Sequence, residues 1–494
     1  MKTKWRTADI GTDLQKYVTQ GGMMMIKFGT GGWRALIGEE FTKENVSILA
    51  QAVANLMKKK SCTENGFVIG YDRRFLSDKA AVWIAEVMAG NGIKVYFIDK
   101  VAPTPLVMFT VKYLLAEYGC SITASHNPAD YNGVKVFTKG GRDANEEVTA
   151  EIEASIAKVD SQNIKRMDYV KGHKTGIIQI IDPFNEYIDT ILGMINVEAI
   201  KNRRLKVVLD PMFGVSKTCL QTILITSRCE LAVINDRHDT LFGGRLPSPG
   251  THTLNHLRNI VVERGYDIGI GTDGDADRLG IIDEKGDFIH PNNILALLYY
   301  YLLKYKGWKG GVVRNIATTH LLDNIAAGFG EECYEVPVGF KHISSMMDEK
   351  KALIGGESSG GLTIRGHISG KDGIFAASLL IELLSITGRS LSALLEEINR
   401  TYGTFYISEN DLRFDTETKT RLERKLFERK EVPDLGFEVA RIRYLDGLKL
   451  YFANGGWIVV RFSGTEPLLR IFAEMSNEAD AAAVADRMKK LLSL

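Results

Sequence analysis

The sequence predicts an α/β protein in which three similar α/β units, with mixed or mostly parallel sheets, are followed by a small α+β domain. Short apolar segments alternate with amphipathic helical patterns three times along the chain, and this alternation is typical of sheets covered by helices on both faces. From about residue 404 the pattern changes to two-residue periodicity and ends in one helix, which indicates a separate domain. A chain of 494 residues also exceeds what one hydrophobic core normally organises.

The domain boundaries are predicted where the pattern restarts. Residues 1–25 are polar and lack periodicity, and we expect them to form an N-terminal extension that is either mobile or translated from an upstream start codon. The α/β domains are expected at 26–185, 186–288 and 289–403, and the α+β domain at 404–494. Each α/β domain delivers a short polar or glycine-rich loop from the end of a strand, which indicates a repeat at the scale of whole domains.

The first α/β unit leads to a strand that ends at a serine. A helix is predicted over 42–60, with Thr42 as its N-cap. The unit continues through a strand, a helix, a strand and a helix at 67–70, 78–90, 95–98 and 105–118. The next strand, 119–123, runs into Thr-Ala-Ser-His-Asn-Pro, where Pro128 has no N–H with which to extend a sheet. Ligands bind at the carboxyl ends of strands in such sheets, so Ser125 is a candidate nucleophile or phosphate carrier. A polar strand end with a Ser/Asn turn is the alternative interpretation.

The second unit delivers a cluster of three aspartates. Its strands are predicted at 205–209, 231–234, 266–270 and 279–282. Between the last two lie Asp273, Asp275 and Asp277. Three carboxylates this close repel one another unless a cation lies between them, and their oxygens suit Mg²⁺, Mn²⁺ or Ca²⁺. The alternative is a solvated acidic turn, which is disfavoured because apolar strands lie on both sides.

Two familiar motifs overlap the aspartate cluster, and both fail on context. Residues 273–284 carry acids at the positions of an EF-hand loop, but Arg278 stands where glycine is needed and the flanking segments are strands. Gly269, Gly271 and Gly274 match the dinucleotide pattern G-x-G-x-x-G. The last glycine opens no helix, however, and a pyrophosphate there would meet carboxylates.

Two further loops carry groups suited to a sugar phosphate. A predicted strand at 352–354 enters Gly-Gly-Glu-Ser-Ser-Gly-Gly (355–361), which either binds sugar hydroxyls or forms a tight hairpin. The segment 461–470 combines two arginines, two hydroxyls and backbone N–H groups that suit a phosphate dianion, with a β-turn and incidental arginines as the alternative. After an Asn-Gly turn, Lys135 is either surface charge or a base that serves the site of Ser125.

Composition argues against several other classes of function. The 62 basic and 61 acidic residues give a net charge of +1, so no bulk field favours nucleic acid or an anionic membrane. The five cysteines are widely spaced and form no C-x-x-C, which indicates reduced thiols and a cytoplasmic location. No apolar run reaches the roughly 18 residues that span a bilayer. A Ser/His/Asp hydrolase is disfavoured because Ser125 lies on no G-x-S-x-G elbow and His126 directly follows it.

Five motifs, in this order and at these separations, closely resemble the α-D-phosphohexomutase superfamily, which includes phosphoglucomutases and phosphomannomutases. They are FGTGGWR (28–34), TASHNP (123–128) with NGVK (132–135), GTDGDADR (271–278), GGESSG (355–360) and RFSGTEPLLR (461–470). TASHNP and DGDADR are highly specific in combination, SGTEP is fairly specific, and GGESSG is a looser match. The resemblance covers the chain from about Ile26 onward and implies four domains around one central cleft, three similar α/β domains and a C-terminal α+β domain.

The resemblance also implies a role for each motif. Ser125 would carry the phosphoryl group and, together with the three aspartates, would hold one Mg²⁺. Arg34 and Arg278 would flank the phosphoserine, with His126 and Lys135 as candidates for the acid/base work. The residues implied in substrate binding are Lys341, Glu357 and Ser359 near the sugar, and Arg461, Ser463, Gly464, Thr465 and Arg470 around its non-reacting phosphate.

The implied activity interconverts hexose 1-phosphate and hexose 6-phosphate through a phosphoserine enzyme and a hexose 1,6-bisphosphate, with glucose 1,6-bisphosphate as activator. The chain departs from better-known members at Ser358 and at Gly361, where dual-specificity enzymes often have histidine, while 367–373 is similar to the phosphoglucomutase branch. The expected order of substrates is glucose phosphate, mannose phosphate, then glucosamine or pentose phosphate. The alternative from another class is a sugar-phosphate-binding protein without turnover, which would need neither Ser125 nor the aspartates.

Overall fold

The structure is a computed structural model that describes residues 26–29, 31–462 and 468–493. The predicted N-terminal extension lies outside these residues. The strands are β1 Trp33–Leu36, β2 Phe67–Tyr71, β3 Val95–Val101, β4 Tyr118–Ile122, β5 Tyr131–Thr138, β6 Arg142–Asp143, β7 Ile178–Ile181, β8 Lys206–Asp210, β9 Glu230–Val233, β10 Ile268–Thr272, β11 Leu279–Ile282, β12 Phe288–Ile289, β13 Val312–Asn315, β14 Cys333–Val336, β15 Ile354–Gly356, β16 Leu362–Ile364, β17 Tyr406–Arg413, β18 Val439–Arg443, β19 Leu448–Phe452, β20 Trp457–Phe462 and β21 Leu468–Met475. The α-helices are α1 Lys43–Lys59, α2 Ser77–Gly90, α3 Thr104–Tyr113, α4 Glu146–Ile156, α5 Tyr169–Lys174, α6 Phe184–Met194, α7 Val197–Arg203, α8 Lys217–Thr226, α9 Asn255–Arg264, α10 Pro291–Lys304, α11 Leu321–Gly328, α12 Phe340–Lys350, α13 Gly373–Thr387, α14 Leu391–Tyr402, α15 Thr416–Glu423 and α16 Glu478–Leu492.

These strands form four sheets, and the fold class predicted from the sequence is confirmed. The first sheet has the order β1-β5-β4-β2-β3-β7 with β6 paired to β5, the second β12-β11-β10-β8-β9, and the third β14-β13-β15-β16. Each contains parallel strands and an antiparallel edge. The fourth sheet, β17-β21-β20-β19-β18, is antiparallel throughout.

The first three sheets have the same strand arrangement at the position where each predicted loop begins. A parallel strand ends in the loop, and the next strand returns antiparallel beside it, as in β4 and β5, β10 and β11, and β15 and β16. We call these loops the carrier loop (123–130), the metal loop (273–278) and the sugar loop (357–361). Because each follows the carboxyl end of a parallel strand, packing the three sheets against one another brings the loops into one cleft.

The buried cores explain how the domains are held together. One continuous apolar cluster includes side chains of the first three domains, for example Val107, Ile270 and Phe375. The fourth domain has its own core between its sheet and α16. It contacts the third domain through a smaller cluster that joins Ile316 to Trp457 and their neighbours. The first three domains therefore share a core, whereas the fourth is joined to the third by a small apolar contact and by polar contacts such as Lys449 Nζ to Glu335 Oε2 at 2.8 Å.

Most predicted elements are present, and α1 shows why. Thr42 Oγ1 accepts a hydrogen bond from the backbone N–H of Asn45 at 3.2 Å, which is the predicted N-cap. The apolar positions Val46, Leu49 and Val53 are buried on one face of this helix. Cap and periodicity are local signals, so the sequence alone was sufficient to predict the helix.

Several elements differ from the prediction; the Asn-Gly turn expected at 132–133, for example, lies within β5, and β21 was not identified. The helix expected over 105–118 ends at Tyr113, because Leu115 adopts a left-handed conformation (φ 54°) and Tyr118 already pairs with Phe67 of β2. The long strand β17 was not identified, since its sequence is polar and charged. It pairs along its full length with β21 as an edge strand, where charged residues are tolerated.

Among the described residues, no single helix is long and apolar enough to cross a membrane. The adjacent helices Gly373–Thr387 and Leu391–Tyr402 satisfy the length and composition criteria only as a pair, and they are bent by 84° relative to each other.

Candidate active site

The carrier loop holds Ser125 in a buried and unusual conformation. Ser125 is fully buried and has a φ of 52°, in the left-handed region that costs a residue with a Cβ about 1 kcal/mol or more. Its N–H donates to Thr123 Oγ1 at 2.8 Å. Its hydroxyl donates to Asp273 Oδ2 at 2.8 Å, and His126 Nδ1 lies 3.4 Å from Ser125 Oγ. The serine hydroxyl therefore points into the aspartate cluster, with an imidazole beside it.

A buried arginine that was not predicted from the sequence maintains the carrier loop. The Arg74 guanidinium donates hydrogen bonds to four carbonyl oxygens of this segment. They belong to Ser125 (2.7 Å), Asn127 (2.6 Å), Pro128 (2.7 Å) and Tyr131 (2.9 Å). One buried cation thus binds three carbonyls of the carrier loop, including that of the strained serine, and one carbonyl of the first residue of β5.

The metal loop gathers the three predicted aspartates into one buried group. One oxygen from each of Asp273, Asp275 and Asp277 lies within 4.8 Å of the others, and all three side chains are buried. Asp275 Oδ2 accepts from Thr104 Oγ1 at 2.7 Å, whereas the Oδ1 atoms of Asp275 and Asp277 have no hydrogen-bond partner among the described residues. Hard oxygen donors that converge and keep free lone pairs fit a divalent cation such as Mg²⁺.

The metal loop approaches the carrier loop so closely that Gly274 is required. A Cβ on Gly274 would lie 2.7 Å from the backbone oxygen of Ser125. This glycine belongs to the G-x-G-x-x-G pattern of the sequence, and its role here is to let two backbones meet and not to bind a dinucleotide.

Two lysines neutralise part of the aspartate charge. Lys135 Nζ lies 2.6 Å from Asp275 Oδ2 and 2.6 Å from Asp277 Oδ2, so it is a buried group of the site and not surface charge. Lys371 Nζ, which was not predicted as a site residue, lies 3.0 Å from Asp277 Oδ2. The stem of Lys371 crosses Gly361, where a Cβ would come within 2.2 Å of Lys371 Cδ. Gly361 therefore leaves the space through which this lysine reaches the metal loop.

These charges help to shift the pKa values of Asp273 and Asp277 in opposite directions. Burial, together with the charges of Asp275 and Asp277, raises the pKa of Asp273 well above its usual range. Burial also disfavours the charged form of Asp277, but the cations of Lys135, Lys371 and Arg278 outweigh it and hold the pKa of Asp277 well below its usual range. For Lys135, burial lowers the pKa and the carboxylates of Asp275 and Asp277 raise it by more, so the net shift is upward.

The two arginines predicted to flank the phosphoserine, Arg34 and Arg278, contact neighbours of Ser125 in the carrier loop and the metal loop. Arg34 Nη1 donates to Asn127 Oδ1 at 3.0 Å, and Arg278 Nε lies 3.9 Å from Asp277 Oδ1. The Nε atoms of both arginines are buried and have no hydrogen-bond partner among the described residues. Burial and then the charges of Arg278 and Arg34 lower the pKa of His126 well below its usual range, so its imidazole is neutral near pH 7. Two adjacent guanidinium groups with unused donors suit a phosphate dianion.

The sugar loop lies against the metal loop. The backbone N–H of Leu279 donates to the carbonyl of Gly360 at 3.3 Å. Glu357 Oε1 accepts from Asn315 Nδ2 at 3.2 Å and from the backbone N–H of Gly339 at 3.1 Å, while Ser359 is exposed in the same loop. The loop is a tight hairpin turn that also carries Glu357, so the two interpretations of GGESSG, a hairpin and a loop that binds sugar hydroxyls, are compatible.

Lys341 occupies a different environment from the other predicted site residues. It follows the Val338–Gly339 segment that contacts Glu357, but its ammonium pairs with Glu146 Oε1 of the first domain at 2.8 Å.

The fourth domain supplies two of the predicted phosphate-binding residues. Arg461 on β20 and Arg470 on β21 are direct partners across the sheet. Arg461 Nη2 lies 3.2 Å from Asp446 Oδ2, and Arg470 Nε lies 3.6 Å from Asp411 Oδ1. We call Arg461 and Arg470 the clamp arginines. The other predicted residues of this segment, Ser463, Gly464 and Thr465, lie outside the described residues.

Comparisons with known proteins assign the chain to a family. The model of phosphoglucomutase/phosphomannomutase α/β/α domain I matches residues 25–163, those of domains II and III match 185–286 and 290–402, and that of the C-terminal domain matches 417–491. The chain belongs to the phosphoglucomutase/phosphomannomutase family. It is therefore a member of the α-D-phosphohexomutase superfamily, as its motifs indicated.

Individual relatives agree with this assignment along nearly the whole chain. A phosphoglucomutase/phosphomannomutase of Thermococcus kodakarensis is 31% identical over 465 residues, which cover 94% of this chain and 98% of that protein. A protein of Methanobrevibacter smithii named "Probable phosphoglucosamine mutase" is 30% identical, with 94% and 98% covered. The fold is also that of a phosphoglucomutase/phosphomannomutase family protein from Burkholderia thailandensis, with a TM-score of 0.80 at 21% identity and 95% and 97% of the two chains covered.

Proposed function

We propose that the protein is a Mg²⁺-dependent phosphohexomutase that interconverts hexose 1-phosphate and hexose 6-phosphate, with Ser125 as the phosphate carrier and glucose phosphate as the preferred substrate. The observation that carries the proposal is the hydrogen bond of the buried Ser125 hydroxyl to Asp273, within a cluster of three converging carboxylates. A phosphoryl group on Ser125 would lie between that cluster and the guanidinium groups of Arg34 and Arg278. These are the groups that phosphoryl transfer requires.

The metal would be held by Asp273, Asp275, Asp277 and a phosphate oxygen on Ser125. The convergence of the carboxylates and the unpartnered Oδ1 atoms of Asp275 and Asp277 support this ligand set. When bound, Mg²⁺ would neutralise charge on the transferring phosphoryl group.

The chain's own residues account for the remaining requirements. Arg34 and Arg278 would bind the phosphoryl oxygens, and Lys135 and Lys371 would balance the carboxylates as the negative charge is redistributed. His126 and Lys135 are the candidates for proton transfer. The geometry favours His126, because its Nδ1 lies 3.4 Å from Ser125 Oγ whereas Lys135 Nζ is bound between two aspartates.

Each cycle would consist of two transfers. The free hydroxyl of the sugar phosphate attacks the phosphorus on Ser125, the bond to Ser125 Oγ breaks, and the hydroxyl proton goes to the base. The bisphosphate then turns over, Ser125 Oγ attacks the phosphorus of the other phosphoryl group, the bond from that phosphorus to the sugar oxygen breaks, and the base returns its proton to the sugar oxygen. The clamp arginines, Arg461 and Arg470, would hold whichever phosphate is not reacting, which is why the clamp belongs on a separate domain.

A second candidate substrate is glucosamine phosphate, because the Methanobrevibacter smithii relative bears that name. Mannose phosphate follows for the same reason from the Thermococcus kodakarensis relative. Glucose phosphate remains the first candidate, because Gly361 stands where dual-specificity members often carry histidine.

The test uses the purified protein with Mg²⁺, a trace of glucose 1,6-bisphosphate, and the 1-phosphates of glucose, mannose and glucosamine separately. We expect conversion to the 6-phosphate, its loss with EDTA and its return with Mg²⁺, and the highest kcat/KM for glucose. Ser125→Ala should fold, lose activity and lose the mass increment of one phosphoryl group. No conversion of any of the three sugars, or full activity in Ser125→Ala, would refute the proposal. Binding without conversion would identify a sugar-phosphate-binding protein instead.

A further inference from the structure

One carboxylate of the fourth domain contacts both a clamp arginine and the third domain. Asp446 lies in the turn that precedes β19. Its Oδ2 atom lies 3.2 Å from Arg461 Nη2 and accepts a hydrogen bond from the backbone N–H of Val338 at 3.0 Å. The side chain of Arg461 is 11% exposed and that of Asp446 28%, so the pair is largely shielded from water. A single oxygen atom therefore joins the phosphate-binding strand of one domain to the backbone of another.

The same backbone segment also contacts the sugar loop. The N–H of Gly339, the residue after Val338, donates to Glu357 Oε1 at 3.1 Å. Two consecutive N–H groups are thus held by two carboxylates, one from the fourth domain and one from the sugar loop. The segment continues into α12, which carries Lys341 in its first turn.

The electrostatics agree with this arrangement. Burial lowers the pKa of Arg461, and the nearby carboxylates Asp446 and Glu357 both oppose that shift. The same two carboxylates oppose the downward shift that burial and Lys341 impose on the pKa of His342. The charges of Asp446 and Glu357 therefore act on both Arg461 and His342, which agrees with the hydrogen bonds of these two carboxylates to the Val338–Gly339 segment.

We propose that Asp446 is a positioning residue that couples the clamp arginine Arg461 to Glu357 through the Val338–Gly339 segment. The coupling rests on the proposed function, in which Arg461 binds the non-reacting phosphate and Glu357 the sugar hydroxyls. A phosphate bound at Arg461 fixes its guanidinium, the guanidinium fixes Asp446, and Asp446 holds the segment against which Glu357 is oriented. The two ends of one substrate are thereby bound as a unit, although they contact different domains.

The physical need for such a link follows from the reaction. Either phosphate of the bisphosphate must fit the clamp, so the clamp must be set at a constant distance from the sugar loop. The apolar contact between the third and fourth domains is small, and charge-assisted hydrogen bonds such as that of Lys449 Nζ to Glu335 Oε2 (2.8 Å) orient the two domains, because such bonds are directional. Asp446 adds a directional contact of this kind at the clamp arginine Arg461, next to the proposed substrate site.

The test compares two carboxylates that each pair with a clamp arginine. Asp446→Asn removes the charge that joins Arg461 to Val338. Asp411→Asn is the matched control, because Asp411 pairs with Arg470 at 3.6 Å but makes no hydrogen bond to the third domain among the described residues. We expect Asp446→Asn to raise KM for glucose 1-phosphate about tenfold with kcat changed less than about threefold, and Asp411→Asn to change both less than about twofold.

A double-mutant cycle measures the coupling itself. If Asp446 and Glu357 act through one segment, the loss of kcat/KM in Asp446→Asn/Glu357→Gln should be at least about fivefold smaller than the product of the single losses. Losses that multiply, or equal effects in Asp411→Asn, would overturn the proposal. A wild-type protein without mutase activity would instead refute the proposed function.

Hydrogen exchange provides a readout that does not depend on activity. In Asp446→Asn, the peptide that contains Val338 and Gly339 should exchange about tenfold faster than in the wild type, while Asp411→Asn should leave its exchange unchanged. Unchanged exchange in Asp446→Asn would show that this carboxylate does not hold the segment, and would overturn the proposal whatever the kinetics.

Discussion

Replacing Arg74 by lysine tests whether the carrier loop depends on a guanidinium. Arg74 donates to four carbonyls of the loop segment, two from Nη1 and two from Nη2. A lysine ammonium keeps the positive charge but is a single point, so it can take the place of only one of the two nitrogens. Arg74→Lys therefore removes two charge-assisted hydrogen bonds to backbone carbonyls of this segment.

The size of the effect follows from these bonds. Each charge-assisted hydrogen bond contributes about 1.5–3 kcal/mol, so losing two destabilises the native carrier loop by about 3 kcal/mol at the least. The left-handed Ser125 adds to the tendency of the loop to relax. A loss of about 3 kcal/mol in the productive arrangement corresponds to a fall in kcat of about 10²-fold. KM for the sugar phosphate should change less than about threefold, because the clamp arginines and the sugar loop are untouched.

The assay measures mutase kcat and KM together with the rate at which glucose 1,6-bisphosphate phosphorylates Ser125, followed by intact mass. Arg73→Lys is the matched control: Arg73 Nη1 also donates to three carbonyls, but those of Phe213, Asp236 and Arg237 in the second domain. We expect Arg73→Lys to retain kcat within about threefold. Equal losses of kcat in both variants, or a raised KM in Arg74→Lys with phosphorylation of Ser125 still fast, would refute this role of Arg74.

Two further predictions concern other parts of the molecule. Gly361→Ala should lower kcat/KM about tenfold without unfolding the protein, because its Cβ would displace the stem of Lys371. Adding Lys371→Ala to that variant should cause little further loss of kcat/KM. Two independent losses would contradict this explanation. Glu335 on β14 accepts hydrogen bonds from Lys449 Nζ of the fourth domain at 2.8 Å and from Arg314 Nη1 at 2.7 Å. Burial raises the pKa of Glu335, but Lys449 and Arg314 outweigh it and lower the pKa to about 2 from an ordinary 4.5. Its contribution to stability is therefore complete above pH 4.5 and is lost as the pH falls towards 2, by about 3 kcal/mol in all. Calorimetry from pH 7 to pH 3 should show a steeper fall in Tm for the wild type than for Glu335→Gln, and parallel curves would refute the assignment.

Local patterns made much of the fold predictable. The N-cap of α1, the apolar strands and the amphipathic helices depend on residues within a few positions of one another, and they are found where the sequence indicated. The prediction was wrong where a distant partner decides the outcome. Residues 114–118 leave the helical pattern because β4 pairs with β2, and β17 is a strand because β21 pairs with it. Strand pairing across long separations overrides local propensity.

The same division holds within the site. Ser125 and the three aspartates could be singled out because each motif places its groups within a few residues, and repulsion among adjacent carboxylates is evident from their spacing alone. Arg74, Lys371 and Asp446 could not, although signals existed: a charged pair directly after a buried strand for Arg74, a lysine before a helix cap for Lys371, and an Asp-Gly turn before β19 for Asp446. Those signals occur at many surface positions and carry no information about the partner.

The sequence by itself determined the family and the α/β class, and it predicted the phosphate carrier and the candidate metal ligands. Only the tertiary structure decided that one arginine folds the carrier loop, that Lys135 lies buried between two aspartates, and that Asp446 contacts both Arg461 and the third domain. The reason is geometric. The spacing of residues that are close in sequence is enough to predict the chemistry they carry out together. Contacts between residues far apart in the chain arise only when sheets and domains pack and exclude water from the groups between them.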